Sequence, residues 1–196
     1  GGGRWDEGNY DPKQSFTLLF QPQFDGPGRL QHPLFEAAPL NRDTDPAEYN
    51  RIILRAGHNK SWPGPGPNLR ETVVYARDEY FRASQLALSG KGSSGHGTFV
   101  HLYLNGLYWG MYYVHERPDH AWAAQIFGGD EDEYDAIKHS AGGVINNGAG
   151  GNATASYNAM LSAANAVASY PTDATRYATL CDQLDVDDFI AYLLAN

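Results

Sequence analysis

The chain has 196 residues, of which 42% are hydrophobic and 13% aromatic, a composition that excludes a wholly disordered protein. Its 14 basic and 23 acidic residues give a net charge of −9, which disfavours binding to a nucleic-acid backbone by bulk charge, and no apolar run is long enough to span a membrane. The one cysteine, Cys181, excludes an internal disulfide and a cysteine-rich zinc site.

Short apolar segments alternate with long irregular connections in the first third of the chain. Residues 15–20 and 51–55 have the apolar character of strands, and Pro33-Leu34-Phe35 is an apolar anchor within the mostly irregular segment 21–50. Proline alternates with glycine over residues 63–67, which excludes this segment from helices and central strands.

A helix is predicted from about residue 70 to residue 89. Asn68 and Glu71 have the spacing of an N-terminal capping box, and the apolar residues that follow recur at helical intervals. Gly90 is a suitable helix terminator, and the Gly- and Ser-rich residues 91–97 are predicted to form a loop.

The clearest local pattern is a β-hairpin over residues 98–115. Two alternating runs flank Asn105-Gly106, the residue pair preferred in two-residue type I′ turns. A regular ladder from that turn would pair Leu104 with Leu107, Leu102 with Trp109, and Val100 with Met111. One buried face is therefore predicted, formed by Leu102, Leu104, Leu107, Trp109 and Met111. Aromatic residues on the opposite face predict that the hairpin is covered on both sides.

The rest of the chain is predicted to be mainly helical. Its expected elements are helices at 119–127, 154–169, 173–181 and from 186 onward, an acidic turn at 130–135, a strand at 134–138 and a flexible Gly-rich loop at 142–151. Strands followed by helices favour an α+β fold with two lobes. We expect a sheet-rich region over residues 1–116 and the first part of a helical region over residues 117–196.

Both ends of the sequence suggest a piece of a longer protein. The chain begins with three glycines and no methionine, and a helical pattern is still in progress at its last residue, Asn196. Three apolar residues of that last helix, Phe189, Ile190 and Leu193, are expected to be partly exposed and to favour association.

Few motifs in the sequence indicate chemistry. There is no P-loop, dinucleotide fingerprint or nucleophile elbow, and the seven histidines do not recur at metal-ligand spacing, so no metal site is predicted within the chain. The acidic run at 130–133 is compatible with a hard cation but more typical of a solvated turn. Asn152-Ala153-Thr154 is a glycosylation sequon of a kind that often arises by chance.

Two features adjoin predicted strands and carry charge. Glu116-Arg117-Pro118-Asp119 lies where the chain leaves the hairpin, and it is equally compatible with a ligand site at a lobe junction and with a salt-bridged crossover. Lys13 and Lys138 each border a strand, where either one could contact a phosphate as a point charge. Most lysines in such positions are ordinary surface residues, and this is the simpler interpretation of each one.

Several short motifs, taken in order, resemble the spore coat protein H (CotH) kinase family. They are Lys13-Gln14-Ser15-Phe16, Gly28-Arg29-Leu30, Pro33-Leu34-Phe35, Leu54-Arg55-Ala56-Gly57, Arg77-Asp78, the run from Tyr103 to Tyr112, and Glu116-Arg117. The stretch from Leu104 to Gly110 with the trailing Glu116-Arg117 is the most specific part. The resemblance covers about residues 12–140 and, more weakly, the helices that follow.

The resemblance implies a protein-kinase-like fold that uses ATP and Mg²⁺ to phosphorylate Ser or Thr on secreted or surface proteins. The helix at 70–89 would correspond to the αC helix of kinases, and Val114 to Arg117 to the hinge that binds adenine. The residues that it implies for nucleotide binding are Lys13, Tyr112, Glu116, Arg117 and Lys138. The family's catalytic and metal-binding aspartates are expected beyond Asn196, so these 196 residues alone should be inactive.

Two alternatives belong to other functional classes. The first is a non-catalytic binding or scaffold module of a secreted multi-domain protein that keeps the kinase-like fold. The second is carbohydrate binding, which depends on exposed aromatic side chains such as Trp5, Trp62 and Trp122. An aspartate close to an asparagine just after residue 196, with a later aspartate, would favour the kinase over the scaffold.

Overall fold

The computed structural model describes residues 13–35, 48–57, 74–90 and 95–195. Its strands are β1 (Phe16–Leu19), β2 (Leu30–Gln31), β3 (Glu48–Tyr49), β4 (Arg51–Arg55), β5 (Gly97–Leu104), β6 (Leu107–Glu116), β7 (Ala136–Ile137) and β8 (Val144–Asn146). Its helices are α1 (Pro22–Asp25), α2 (Arg77–Ser89), α3 (His120–Phe127), α4 (Ala153–Ser169), α5 (Ala174–Cys181) and α6 (Val186–Ala195). The chain divides into two compact units, one of residues 1–87 and 94–117 and the other of residues 88–93 and 118–196.

An antiparallel sheet with the strand order β1-β4-β6-β5 forms the centre of the first unit. Strand β6 lies between β4 and β5, and α2 connects β4 to β5 in sequence. The mixture of this sheet with several helices confirms the α+β class. The predicted strands at 15–20 and 51–55 are observed as β1 and β4, with their ends shifted by no more than one residue.

The predicted turn at Asn105-Gly106 is confirmed. Both residues have positive φ angles, 50° for Asn105 and 79° for Gly106, and Leu104 pairs with Leu107 across the turn. Positive φ at both central positions is what a type I′ turn requires, and asparagine and glycine tolerate it better than other residues.

The predicted register beyond the turn is wrong, because the ladder is interrupted between Leu102 and Tyr103. Tyr103 pairs with Tyr108, but Leu102 then pairs with Gly110, so Trp109 is the additional residue of a β-bulge. Gly110 adopts a φ of 106°, which side-chain-bearing residues rarely adopt. A one-residue shift reverses which side chains face each side of a strand, so the inward residues of β6 change.

The predicted buried face of the hairpin is therefore wrong for its β6 residues, whereas Leu102 of β5 is half-buried and packs against the core. Leu107, Trp109 and Met111 are 69%, 43% and 40% exposed. The hairpin is covered on both sides only near its base, since Tyr103 and Tyr108 at the tip are exposed as well.

The core on one side of the sheet is formed by even-numbered residues of β4 and β6, together with two aromatic residues that precede β4. Its buried members are Phe35, Tyr49, Ile52, Leu54, Ala56, Tyr112 and Val114. Phe35 packs edge-on against Tyr49, with ring centroids 5.5 Å apart. The apolar anchor predicted around Phe35 is thus a central part of the core.

Helix α2 covers the other side of the sheet. It begins at Arg77, later than the predicted start near residue 70, and residues 74–76 precede it as a turn in which the Arg77 amide donates to the Val74 carbonyl. Asn68 and Glu71, the predicted capping box, lie outside the described residues. Leu86 is the one buried side chain of α2.

The second unit contains the predicted helices. Asp119 caps α3 through a 3.2 Å bond from the Trp122 amide, Asn152 caps α4 and Asp173 caps α5. The Gly-rich segment 142–151, predicted as a flexible loop, instead contains β8, which pairs with β7. The Gly148 amide and the Ser156 hydroxyl both donate to Asp135, at 2.9 and 3.0 Å, which fixes this segment to the start of α4.

Candidate functional site

Several of the described side chains with shifted pKa values lie where α2 meets the sheet. We call the contacts of residues 77–87 with β4, β5 and β6 the α2 seam. Arg55 of β4 and Asp78 of α2 form an ion pair of 2.5 Å, with side chains 34% and 28% exposed. The next residue, Glu79, accepts a hydrogen bond from the hydroxyl of Tyr113 on β6.

The local sequence explains why these acids lie at this point. Asp78 and Glu79 occupy the first turn of α2, where negative charge interacts favourably with the helix dipole. Arg55 and Tyr113 are directly paired in the β4–β6 ladder, so their side chains leave the sheet side by side and meet consecutive acids of the helix. Burial raises the pKa of Glu79, and the nearby positive charge of Arg82 partly opposes that effect.

A buried polar pair closes the base of the hairpin. The Glu116 carboxylate is almost fully buried and accepts two hydrogen bonds from His96, 2.6 Å from the backbone amide and 2.9 Å from Nδ1. The His96 ring stacks on Phe35 with centroids 6.0 Å apart. These contacts join the residue that precedes β5 to the last residue of β6.

His115 lies on the opposite side of the same strand and faces the α2 seam. Its ring is buried, and burial together with the positive charge of Arg82 lowers its pKa from 6.5 to about 3. Nδ1 lies 2.5 Å from the Glu116 carbonyl oxygen, and Nε2 has no hydrogen-bond partner among the residues that the structure describes. The imidazole is therefore neutral at physiological pH.

Lys13 is held in an aromatic and carbonyl environment. Its ammonium lies 4.5 Å from the centroid of the Tyr112 ring and donates to the Met111 carbonyl and, at 3.3 Å, to the Tyr75 hydroxyl. Tyr75 also donates to the Met111 carbonyl, at 2.8 Å. Lys13 thus connects the start of β1 to the bulged part of β6.

The other predicted nucleotide-binding residues differ in their surroundings. Tyr112 is fully buried in the core and donates to the Gln14 carbonyl at 2.9 Å, and Glu116 is buried against His96. Arg117 is half-buried where the chain leaves β6. Lys138 belongs to the second unit, where its side chain is exposed and its amide donates to the Gly143 carbonyl at 2.8 Å.

Sequence reasoning did not assign a role to the residues of the α2 seam. Arg55 and Asp78 each belong to a motif of the family resemblance, Leu54-Arg55 and Arg77-Asp78, but nothing in the sequence links two residues 23 positions apart. Nothing in the sequence distinguishes Glu79, His96 and His115 from other residues of their type, because their contacts and their burial depend on the tertiary structure.

Two further expectations concern metal and carbohydrate. No group of three or more His, Cys, Asp or Glu side chains able to hold a metal ion occurs within the described ranges. Trp122 is buried, which removes it as a carbohydrate platform, and Trp5 and Trp62 lie outside the residues that the structure describes. In that same part of the chain, no helix is long and apolar enough to cross a membrane.

Comparison with known families gives a match to the family described as CotH kinase protein, over residues 7–196. The chain belongs to the CotH kinase family. The resemblance seen in the motif series is thereby confirmed, and it extends beyond residue 140 to the end of the chain. No curated protein and no solved structure gives a significant match.

Membership of the CotH family supports a kinase-related function at the level of the family and an association with the spore coat, consistent with a surface location. It suggests a kinase-like fold, with which the α+β architecture and the antiparallel sheet are compatible.

Proposed function

We propose that this CotH chain forms the nucleotide-binding part of a protein kinase that transfers phosphate from ATP to Ser or Thr residues of secreted or surface proteins. The observation that carries the proposal is the Arg55–Asp78 ion pair, which joins a sheet strand to the helix that follows it in sequence. Protein kinases require a comparable pair, between a strand lysine and an αC glutamate, for phosphoryl transfer.

In this proposal, residues 1–116 correspond to the small lobe and residues 117–196 to the beginning of the large lobe. Strand β4 takes the place of the strand that carries the cation, α2 that of αC, and β6 that of the strand that leads into the hinge. Arg55 supplies the charge for the phosphates, since Asp78 holds its guanidinium in place.

The predicted nucleotide-binding residues take different roles according to their surroundings. Tyr112 and Glu116 stabilise the base of the hairpin, because their side chains are buried and form hydrogen bonds within the protein. Arg117 lies where the chain leaves the sheet, and Lys138 is exposed, so both remain candidates for direct contact with nucleotide. Lys13 would have to leave the Met111 carbonyl to reach a phosphate.

The Mg²⁺ that phosphoryl transfer requires is not assigned to these residues. Mg²⁺ needs oxygen ligands close together, and the described residues contain no cluster of three acidic or histidine side chains that fits. Magnesium would neutralise the charge that develops on the transferred phosphate. In this proposal the residues discussed above bind and orient nucleotide, and no step through the metal is assigned to them.

The test is transfer of radiolabelled phosphate from ATP, with and without Mg²⁺, by the full-length protein and by this 196-residue chain. We expect transfer by the full-length protein, its loss in Arg55→Ala and Asp78→Asn, and no transfer by the chain alone. Arg176→Ala is the matched control, because Arg176 also pairs with an aspartate, at 3.0 Å, but on the exposed surface of α5.

Three outcomes would change the proposal. Full activity of Arg55→Ala would remove the ion pair from the mechanism. Robust transfer by the 196-residue chain would mean that the catalytic residues lie within it. Absence of transfer by the intact protein, across several acceptor proteins, would favour a non-catalytic scaffold with a kinase-like fold.

A further inference from the structure

Helix α2 has one buried side chain and several polar contacts with the sheet. Leu86 is its one buried side chain, and Tyr80 and Leu88 are exposed. A helix with so little buried apolar surface gains little fixed orientation from packing. The side-chain bonds of its first turns therefore contribute to its position on the sheet.

Tyr113 is the centre of one set of these bonds. Its hydroxyl donates to Glu79, and the guanidinium of Arg82, one turn further along α2, lies 6.0 Å from the centroid of the Tyr113 ring. The ring also contacts Phe99 and His115, with centroids 5.1 and 5.5 Å away. Tyr113 thus connects two successive turns of α2 with strands β5 and β6.

The Tyr113 hydroxyl lies close to the backbone of β5 at Gly97. A Cβ atom at Gly97 of β5 would overlap the hydroxyl, so glycine is required there for Tyr113 to reach Glu79. Glu79 and Gly97 also line a small cavity between α2 and the start of β5, together with Arg82 and His96. The absence of a side chain at Gly97 therefore leaves room for the hydroxyl of Tyr113.

The same contacts extend to the end of β6. Arg82 acts electrostatically on His115 and Glu116, the two residues that end the strand. A change in the position of α2 moves the Arg82 charge relative to this end of the strand, immediately before the chain leaves the sheet at Arg117.

We propose that Tyr113 and Glu79 are positioning residues, which act through their mutual hydrogen bond to hold α2 and the end of β6 in the geometry that binds the adenosine part of a nucleotide. The inference rests on the proposed function, because it assigns a role to the α2 seam in nucleotide binding. It differs from the Arg55–Asp78 pair, which acts on the phosphates.

The experiment measures the affinity of the full-length protein for ATP and for adenosine, by titration calorimetry, in Tyr113→Phe, which removes the donor, in Glu79→Met, which removes the acceptor, and in the double variant. We expect each single variant to weaken both ligands by up to about tenfold, the limit set by one hydrogen bond to a charged group, because ligand binding must then restore the geometry that this bond holds in the free protein. The double variant should be no weaker than either single variant, because both remove the same bond. Tyr103→Phe is the control, since Tyr103 is an exposed tyrosine of the same hairpin.

Amide hydrogen exchange of residues 114–117 in the ligand-free protein gives a second readout. Exchange there should accelerate in Tyr113→Phe and Glu79→Met but not in Tyr103→Phe. Wild-type affinity for both ligands, additive effects in the double variant, or unchanged exchange would each overturn the positioning role. If the wild-type protein binds neither ligand, the proposed function fails first and the positioning role fails with it.

Discussion

Replacement of His115 by phenylalanine should make the chain more resistant to acid. The folded protein holds this histidine neutral, because burial and the positive charge of Arg82 lower its pKa from 6.5 to about 3. The unfolded chain binds a proton there below pH 6.5, whereas the folded chain does not. Stability is therefore unaffected above pH 6.5, falls as the pH drops below it, and stops falling near pH 3.

The size of the effect follows from the same two pKa values. At pH 5, about 1.5 pH units below the ordinary histidine pKa, the neutral His115 should cost about 2 kcal/mol of unfolding free energy. The variant also loses the hydrogen bond between Nδ1 and the Glu116 carbonyl, a loss of about 1 kcal/mol that applies at every pH. It should thus be slightly less stable than the wild type at pH 8 and more stable at pH 5.

The assay is urea unfolding of the 196-residue chain at several pH values from 8 to 5, followed by circular dichroism. The informative quantity is the difference between wild type and variant at each pH, since other titrating groups contribute equally to both. Replacement of the exposed His101 by glutamine should leave the wild-type profile unchanged. Parallel profiles for wild type and His115→Phe would refute a neutral buried His115.

Three further substitutions test the turn, the core and the last helix. Gly106→Val should cost about 1 kcal/mol or more in urea unfolding, because a β-branched residue is strained at a φ of 79°. Phe35→Ala should cost about 3–5 kcal/mol and Trp109→Ala under about 2 kcal/mol, since Phe35 is fully buried and Trp109 is 43% exposed. Ile190→Lys should reduce self-association in sedimentation velocity, because Ile190 lies among the exposed apolar residues of α6.

Each of these expectations has a contrary result. A tolerated Gly106→Val would mean that the turn has a different type, and equal costs at Phe35 and Trp109 would restore the unbulged register. Unchanged association of Ile190→Lys, or a wild-type chain that is monomeric at high concentration, would exclude the exposed face of α6 as a contact surface. Leu161→Lys, a comparable change at an exposed apolar position of α4, is the control.

Local chemistry determined the features that the sequence predicted correctly. Asn105 and Gly106 define the hairpin turn, since few other pairs tolerate positive φ at both positions. The helices of the second unit follow from their apolar spacing and from caps such as Asn152 and Asp173, which act within three residues of themselves. The family was also recognisable, because its motifs are short and occur in a set order.

Tertiary structure alone decided which residues are buried and which charges meet. The alternating pattern gives no indication of the bulge at Trp109, and its one extra residue exchanges the inward and outward faces of β6 relative to a regular ladder. The pairing of Arg55 with Asp78, and the low pKa of His115, depend on where α2 settles on the sheet. Burial and electrostatic coupling are properties of distances between residues far apart in sequence, which a pattern of neighbours does not contain.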